Sequence, residues 1–546
     1  MSSSQKKKLR AEQNSAQLTE KQIAEQKEAK QLRTYTNLFI TIIALMLCVV
    51  LVTSVVKSGF IQRQVTAATV NDSKISAAEF NYFYVDAVDS FRNEWGDYFM
   101  FSGLAAGKPL NEQVMDEETG KTWADYFVDD AVHSMKGAYA LYNAALADGY
   151  TLNEDMTNQI NTLIESMRSA AKSSPGFKDL NQYLRAIYGA GSNEQTFRHH
   201  LEVQLLASQY AQDHMDSLSY SDEQLRAKDQ EDPSQYSSFS YHYIYLSGSS
   251  FNEGGTTDEE GKTTYTEEEK AAGLQKCEET AKLLSQSSIS DAESFDAAIA
   301  ALQLGEGKPS ASIENKDVLK INLPSALAEW VSDASRKAGD LTLIPSESTT
   351  TDAEGKETTT VNGYYVVLFD GINDNTYHMA NVRHILAAFQ GGTKDENGQV
   401  IYSEEEKAAA KEKAEGILAQ FQTGETTEEA FAALAAEKSD DRGSAVNGGL
   451  IADILPASNL VPSFRDWALD DSRKVGDAEI VESPYGFHVM YACEDSELNY
   501  RDTMIRNTLI TADMNAWEDA LVEATSAEIV STKYVPMDLM IQAPQQ

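Results

Sequence analysis

Apolar residues are spaced in three ways along this chain of 546 residues. Residues 34–56 form an uncharged run of 23. As a helix it is about 34 Å long, enough to cross a hydrocarbon core of about 30 Å. From about 66 to 230 the apolar positions recur at helical spacing. Phe80, Phe83 and Tyr84 follow the capping pattern Ser76-x-x-Glu79, and Val70–Ile75 before it is a turn signal. Phe127, Ala131, Ala138, Tyr142 and Ala145 run from Trp123 to a stop at Gly149. Met156, Ile160, Leu163 and Met167 follow Thr151-x-x-Glu154, and Phe197, Leu201 and Leu205 follow Ser192-x-x-Gln195.

Further on the pattern is mixed. Residues 382–389, "VRHILAAF", predict a buried strand, and a polar insert with an Asn397-Gly398 turn follows it. Ala410, Ala414, Ile417, Leu418 and Phe421 predict a helix, and Thr426-x-x-Glu429 opens another. "FRDWALD" predicts a short helix and "PYGFHVMYA" a closing strand. The order β-α-α…α-β predicts a small α+β unit. Residues 498–535 return to a long helical pattern, with Met504, Ile505, Leu509, Ile510, Met514, Trp517 and Leu521.

The unit is one of a pair. Tyr265-Thr266-Glu267-Glu268-Glu269-Lys270-Ala271-Ala272 returns as Tyr402-Ser403-Glu404-Glu405-Glu406-Lys407-Ala408-Ala409. Ser335-Arg336-Lys337-Ala338-Gly339-Asp340 returns as Ser472-Arg473-Lys474-Val475-Gly476-Asp477, and Trp330 as Trp467. All three share an offset of 137 residues, which predicts tandem domains at about 236–372 and 377–497. The predicted organisation is an α+β multidomain chain. It has a tail at 1–33, a transmembrane helix at 34–56, a helical domain at 57–235, the two copies, and a C-terminal helical segment at 498–546.

Charge adds direction. The net charge is −40, but residues 1–33 carry eight Lys/Arg against four Glu. That asymmetry places the N-terminus in the cytoplasm and the main body outside a single-pass membrane. A main body this acidic excludes a broad nucleic-acid footprint. Three cysteines, Cys48, Cys277 and Cys493, are too few for a disulfide framework, and no Cys/His spacing suggests zinc. The adjacent His199 and His200 are expected at the surface rather than on a metal.

The second copy carries the candidate chemistry. Its motifs run in order: His384-Ile385-Leu386; Phe431 to Leu434-Ala435 with Ser439-Asp440-Asp441; Gly448-Gly449-Leu450; Leu460-Val461-Pro462-Ser463-Phe464; and Gly486-Phe487-His488. Over about 115 residues this set resembles the parvulin-type peptidyl-prolyl isomerases. The resemblance implies that His384 and His488 meet beneath the site, with Asp441 beside the rotating bond and Ser483 supplying a nearby hydroxyl. It also implies that Leu450, Leu460 and Phe464 cradle the proline ring, with no metal, cofactor or covalent intermediate. Ile451 stands where the family often has glycine. Gln390–Glu396 lacks a basic cluster, so phosphorylated substrates are not expected.

The first copy aligns Tyr243 with His384 and Tyr365 with His488. It is expected to be an inactive parvulin-like domain, and its tyrosines show that the fold itself does not require the histidines. The helical region resembles the N-terminal chaperone domain of SurA- and PrsA-type foldases, on which a C-terminal segment packs. The resemblance implies a membrane-anchored foldase of a Gram-positive setting that binds unfolded secreted polypeptides and isomerises X-Pro bonds. The rival expectation is a holdase that keeps a parvulin shape without catalysis.

Overall fold

In a computed structural model of the protein, the structure describes residues 2–14, 39–50, 58–258, 261–305, 307–351, 356–394 and 398–542. The chain divides into two compact units, Met1–Ser219 with Thr511–Gln546, and Tyr220–Ile510.

The first unit is helical with a small sheet. Its main helices are Ala77–Trp95, Trp123–Ala147, Glu154–Ser173, Leu180–Tyr188 and Glu194–Ser217. The turn signal at 70–75 is a hairpin between strands Thr66–Val70 and Ser73–Ser76, with Asn71 at φ 49°. The C-terminal strand Ala527–Ile529 pairs antiparallel with Thr66–Val70, and Val535 and Ile541 are buried in the same core as Phe80 and Trp123. Trp517 stacks on His214 at 4.0 Å.

Several local expectations are corrected. Ser76 does cap its helix, but the next caps are Asn153 and Asn193 rather than Thr151 and Ser192. Each asparagine oxygen accepts from the backbone N–H three residues on, so the caps lie two residues and one residue later than expected. In the second unit Thr427, not Thr426, caps its helix for the same reason. His200 is buried, stacked on Tyr82 at 5.0 Å and edge-on to Phe83, while only His199 faces outward. Successive residues on a helix point about 100° apart, so one of two neighbours can enter the core. Among the described residues no group of three or more His, Cys, Asp or Glu could hold a metal.

Of the apolar run 34–56, residues 39–50 are helical with exposed side chains; 34–38 and 51–56 lie outside the described residues. Among the described residues no helix is long and apolar enough to cross a membrane. The expected Asn397-Gly398 turn also falls partly outside them, at Asn397.

The second unit holds two four-stranded antiparallel sheets of one topology. The first has β1 (Ser238–Ser247), β2 (Ile313–Leu319), β3 (Leu341–Thr351) and β4 (Glu357–Asn373), in the order β2-β1-β4-β3. The second has β5 (Ala380–Ala388), β6 (Leu450–Ile454), β7 (Ala478–Ser483) and β8 (Gly486–Ala492), in the order β6-β5-β8-β7. The edge strands β6 and β7 were not anticipated in the β-α-α…α-β pattern. One face of the second sheet is covered by α1 (Glu404–Thr423) and α2 (Glu428–Lys438), whose Ala414, Ile417, Phe421 and Phe431 pack on Ile385, Val489 and Tyr491.

The sequence repeats mark matched local devices. Glu269 accepts the Gly255 N–H at 3.0 Å, and Glu406 accepts the Gly392 N–H at 2.9 Å. Arg336 lies over Trp330 at 4.2 Å and Arg473 over Trp467 at 4.6 Å. Gly339 and Gly476, at φ 90° and 93°, donate to the carbonyls of Phe369 and Ala492 on the matching strands. The repeated Gly-Asp is therefore a turn requirement.

Candidate active site

Strand alternation sets the site. On β5, Val382, His384 and Leu386 share one face, and Arg383, Ile385 and Ala387 the other. The second face is the helix-covered core. The first carries His384, which pairs with Met490, while His488 pairs with Leu386. The histidines are therefore diagonal neighbours on central strands, 4% and 6% exposed. Their Nδ1 atoms are 3.1 Å apart. His384 Nε2 lies 3.0 Å from Asp441 Oδ2 and 2.9 Å from Ser444 Oγ. His488 Nε2 lies 2.8 Å from Ser483 Oγ. Phe464 stands edge-on to both rings, at 5.2 and 5.3 Å.

One proton arrangement satisfies this chain of groups. The Asp441 carboxylate only accepts, so His384 Nε2–H donates to it and His384 Nδ1 is bare. His488 Nδ1–H then donates to His384, and the Ser483 hydroxyl donates to His488 Nε2. The Ser444 hydroxyl donates to Asp441 Oδ2 at 2.5 Å. Both imidazoles are neutral in this scheme. Burial agrees: it lowers His384 despite the Asp441 charge, and lowers His488 to about 4. At Asp441 burial acts upward, but the Ser444 hydroxyl, His384 and backbone N–H groups outweigh it and hold the carboxyl below its usual range.

Asp441 is placed by the end of α2. Ser439 is fully buried and its Oγ accepts the N–H groups of Leu386 and Asp441, at 3.1 and 3.2 Å. Asp440 accepts the Ala388 N–H at 3.0 Å and pairs with Lys413. Ser439 and Asp440 thus clamp the loop to β5, and Asp441 caps the short helix α3 (Arg442–Ala445), its side chain 34% exposed at the rim. Gly448 and Gly449 follow at φ 65° and 73°. A Cβ on Gly449 would lie 2.2 Å from the His384 carbonyl oxygen, so only glycine lets β6 start against β5.

The expected apolar cradle is only partly assembled. Phe464, on α4 (Pro462–Ala468), is buried and clusters with Leu460 and Ile451. Leu450 does not join them. It pairs with Arg383, on the helix-covered side, whereas Ile451 pairs with Val382 on the histidine face. A one-residue shift along a strand exchanges faces. Ile451, which stands where the family often has glycine, lies on the histidine face and clusters with Phe464. Ser444, 8% exposed and bonded to both His384 and Asp441, is the group that sequence reasoning missed. Its spacing, three residues after a helix-capping aspartate, was the available signal.

Residues 364–496 match the PPIC-type PPIASE domain, and residues 29–130 match the SurA-like N-terminal domain. The chaperone SurA of Methylococcus capsulatus is 27% identical over 150 residues, which are 27% of this chain and 29% of that protein. The chain thus spans under a third of the curated relative it matches. Among solved structures, PrsA of Bacillus subtilis is 12% identical, with 74% of this chain and 86% of that one covered at a TM-score of 0.24. PrsA of Bacillus cereus is 18% identical, with 50% and 91% covered at a TM-score of 0.19. The chain thus carries a PPIC-type, or parvulin-type, PPIase domain and a SurA-like N-terminal domain, and over part of its length it is similar to the chaperone SurA.

Proposed function

We propose that this protein is a membrane-anchored extracytoplasmic foldase whose second parvulin copy, residues 377–497, catalyses cis/trans isomerisation of X-Pro bonds. The observation that carries it is the buried His384–His488 pair, with Asp441 at one end, Ser483 at the other and Phe464 above. Rotation faces a barrier of about 18–20 kcal/mol, because the planar amide has C–N double-bond character. That resonance puts negative charge on the carbonyl oxygen. An ionised Asp441 beside this oxygen disfavours the planar form and spares the twisted one, whose oxygen carries less charge. The neutral histidine pair keeps Asp441 oriented without neutralising it. Phe464, Leu460 and Ile451 hold the proline ring. Burying three ring methylenes is worth roughly 2 kcal/mol, which binds substrate, and the interactions selective for the twisted state set the rate.

In this reading residues 34–56 anchor the chain in the membrane of a Gram-positive type cell, with residues 1–33 inside. Residues 57–235 hold unfolded secreted polypeptides, and the part of 498–546 from Thr511 onward, which belongs to the same compact unit as Met1–Ser219, completes that domain. Tyr98 and Phe101, 70% and 82% exposed and stacked at 6.0 Å, offer these clients an apolar contact. The same exposed aromatics favour a second reading, a holdase without catalysis. A proline-limited refolding assay with the full chain in detergent separates the two. Acceleration that disappears in His384→Ala and Asp441→Ala supports the enzyme. Suppressed aggregation with no acceleration by the unaltered protein supports the holdase.

A further inference from the structure

The first copy has lost the histidines but has an open cleft where they would be. Register makes the correspondence explicit. Tyr243 pairs with Val367 as His384 pairs with Met490, and Tyr365 pairs with Tyr245 as His488 pairs with Leu386. Asn315 faces Tyr241 as Ile451 faces Val382. Ser346 pairs with Gly363 as Ser483 pairs with Gly486. Leu327 stands 137 positions before Phe464, on the matching short helix. Tyr243, Tyr365, Asn315, Leu327 and Ser346 all line a cleft of about 400 Å³, within the range of ligand pockets. Leucine for phenylalanine opens it.

The lining has a definite chemistry. Tyr241, Tyr243, Tyr365 and Tyr245 form a ladder across the two central strands, with successive ring centroids 6.0, 5.9 and 4.8 Å apart. The Tyr241 hydroxyl is occupied by Asn315, at 2.9 Å, whereas those of Tyr243 and Tyr365 have no hydrogen-bond partner among the described residues. The residue 137 positions before Asp441 is Leu304, which packs against the first copy's core, and the carboxylate that lines the cleft, Glu347, stands on β3 instead. Ring faces carrying free O–H donors suit a polyproline II segment. Such a segment has no internal hydrogen bonds, so its carbonyls seek donors, and its proline rings lack N–H and lie flat on aromatic faces.

We infer that the first copy is a non-catalytic receptor for extended, proline-containing stretches of client polypeptide, held on the tyrosine ladder between Leu327 and Asn315. This rests on the reading of the second copy as a proline-directed site. Two such sites in one chain raise the effective concentration of a client's next proline at the second one.

The test is fluorescence anisotropy of a labelled peptide with a central Pro-Pro pair, and of its Ala-Ala counterpart, titrated with the full chain in detergent. Leu327→Trp should fill the cleft and weaken the Pro-Pro peptide at that site by at least about tenfold, and Tyr365→Ala similarly. Tyr365→Phe keeps the ring and should lose only about three- to fivefold. Circular dichroism excludes misfolded variants, and Tyr365→Phe keeps the test open if the larger changes unfold. Equal affinity for the two peptides, or undiminished binding in the filled and truncated variants, overturns the inference. Isomerisation is read on the same samples. If it is absent in the unaltered chain, the second copy's assignment fails; if it is present while cleft binding is undiminished in the variants, only this inference fails.

Discussion

The two sheets of the second unit differ least in backbone and most in what stands at one diagonal pair. Tyr243 and Tyr365 have ring centroids 5.9 Å apart, and His384 and His488 5.2 Å. The topology is identical. Tyrosine therefore satisfies the fold at both places, and the histidines must be explained by what they touch. Only the second pair is continuous with a carboxylate and two serine hydroxyls. The sharpest way to break the comparison is to convert the second copy to the first. His384→Tyr with His488→Tyr should lower isomerisation by at least about 100-fold, roughly 2.7 kcal/mol of barrier, while circular dichroism shows the sheet intact. Retained activity would remove the histidines from the mechanism.

How much of this was legible follows from what each signal depends on. The buried strand β5 and the helices over it are readable because their apolar periods are local. The histidine pair is readable because the first copy provides an internal control. Strands β6 and β7 are edge strands with mostly exposed or half-exposed positions, so no clean alternation marks them. That is also why Leu450 is expected on the histidine face that Ile451 occupies: a five-residue strand with an irregular register beside Val382 does not reveal its faces. For Ser444 the spacing after Asp441 signals only the capping bond, while its contact with His384 arises where the loop approaches β5 in space.

Backbone geometry gives the next effect. The second copy needs Gly448-Gly449 to bring β6 onto β5, whereas in the first copy β2 reaches β1 without such a pair. Gly449→Ala adds a Cβ against the His384 carbonyl at positive φ. It should destabilise the second copy by about 2–4 kcal/mol, seen as a lowered denaturation midpoint. A glycine-to-alanine change at Gly416, which faces open space in mid-helix, should cost nothing.

Acid separates the copies too. His488 titrates near 4 in the folded protein against an ordinary value of 6.5. Between these values the unfolded chain binds the extra proton, so stability rises with pH across that window. The contribution is complete above pH 6.5 and lost as pH falls through 4, a difference on the order of 3 kcal/mol. Burial shifts His384 in the same direction. Urea midpoints of the unaltered chain should fall from pH 6.5 toward pH 4, and those of the double tyrosine variant should fall less. Equal slopes would mean that the pair is not buried in its neutral form.

Within the site, two neighbouring residues should separate by face. Ile451→Ala removes part of the wall beside Phe464 and should reduce kcat/KM about three- to tenfold, while Leu450→Ala, on the Arg383 side, should leave it within about twofold. A larger loss for Leu450 would reverse the register on which the site is built.

The smallest effect is expected from the reverse conversion. Placing histidines at Tyr243 and Tyr365 restores the diagonal pair and leaves Ser346 available. It restores no carboxylate, since the position matching Asp441 is Leu304, turned into the core. It also leaves Leu327, not phenylalanine, over the rings. With the second copy silenced by His384→Tyr and His488→Tyr, the added histidines should raise isomerisation by less than about twofold above background. Substantial activity would show that two imidazoles suffice, and that the carboxylate at the second copy's rim is an accessory to binding rather than the group that disfavours the planar amide.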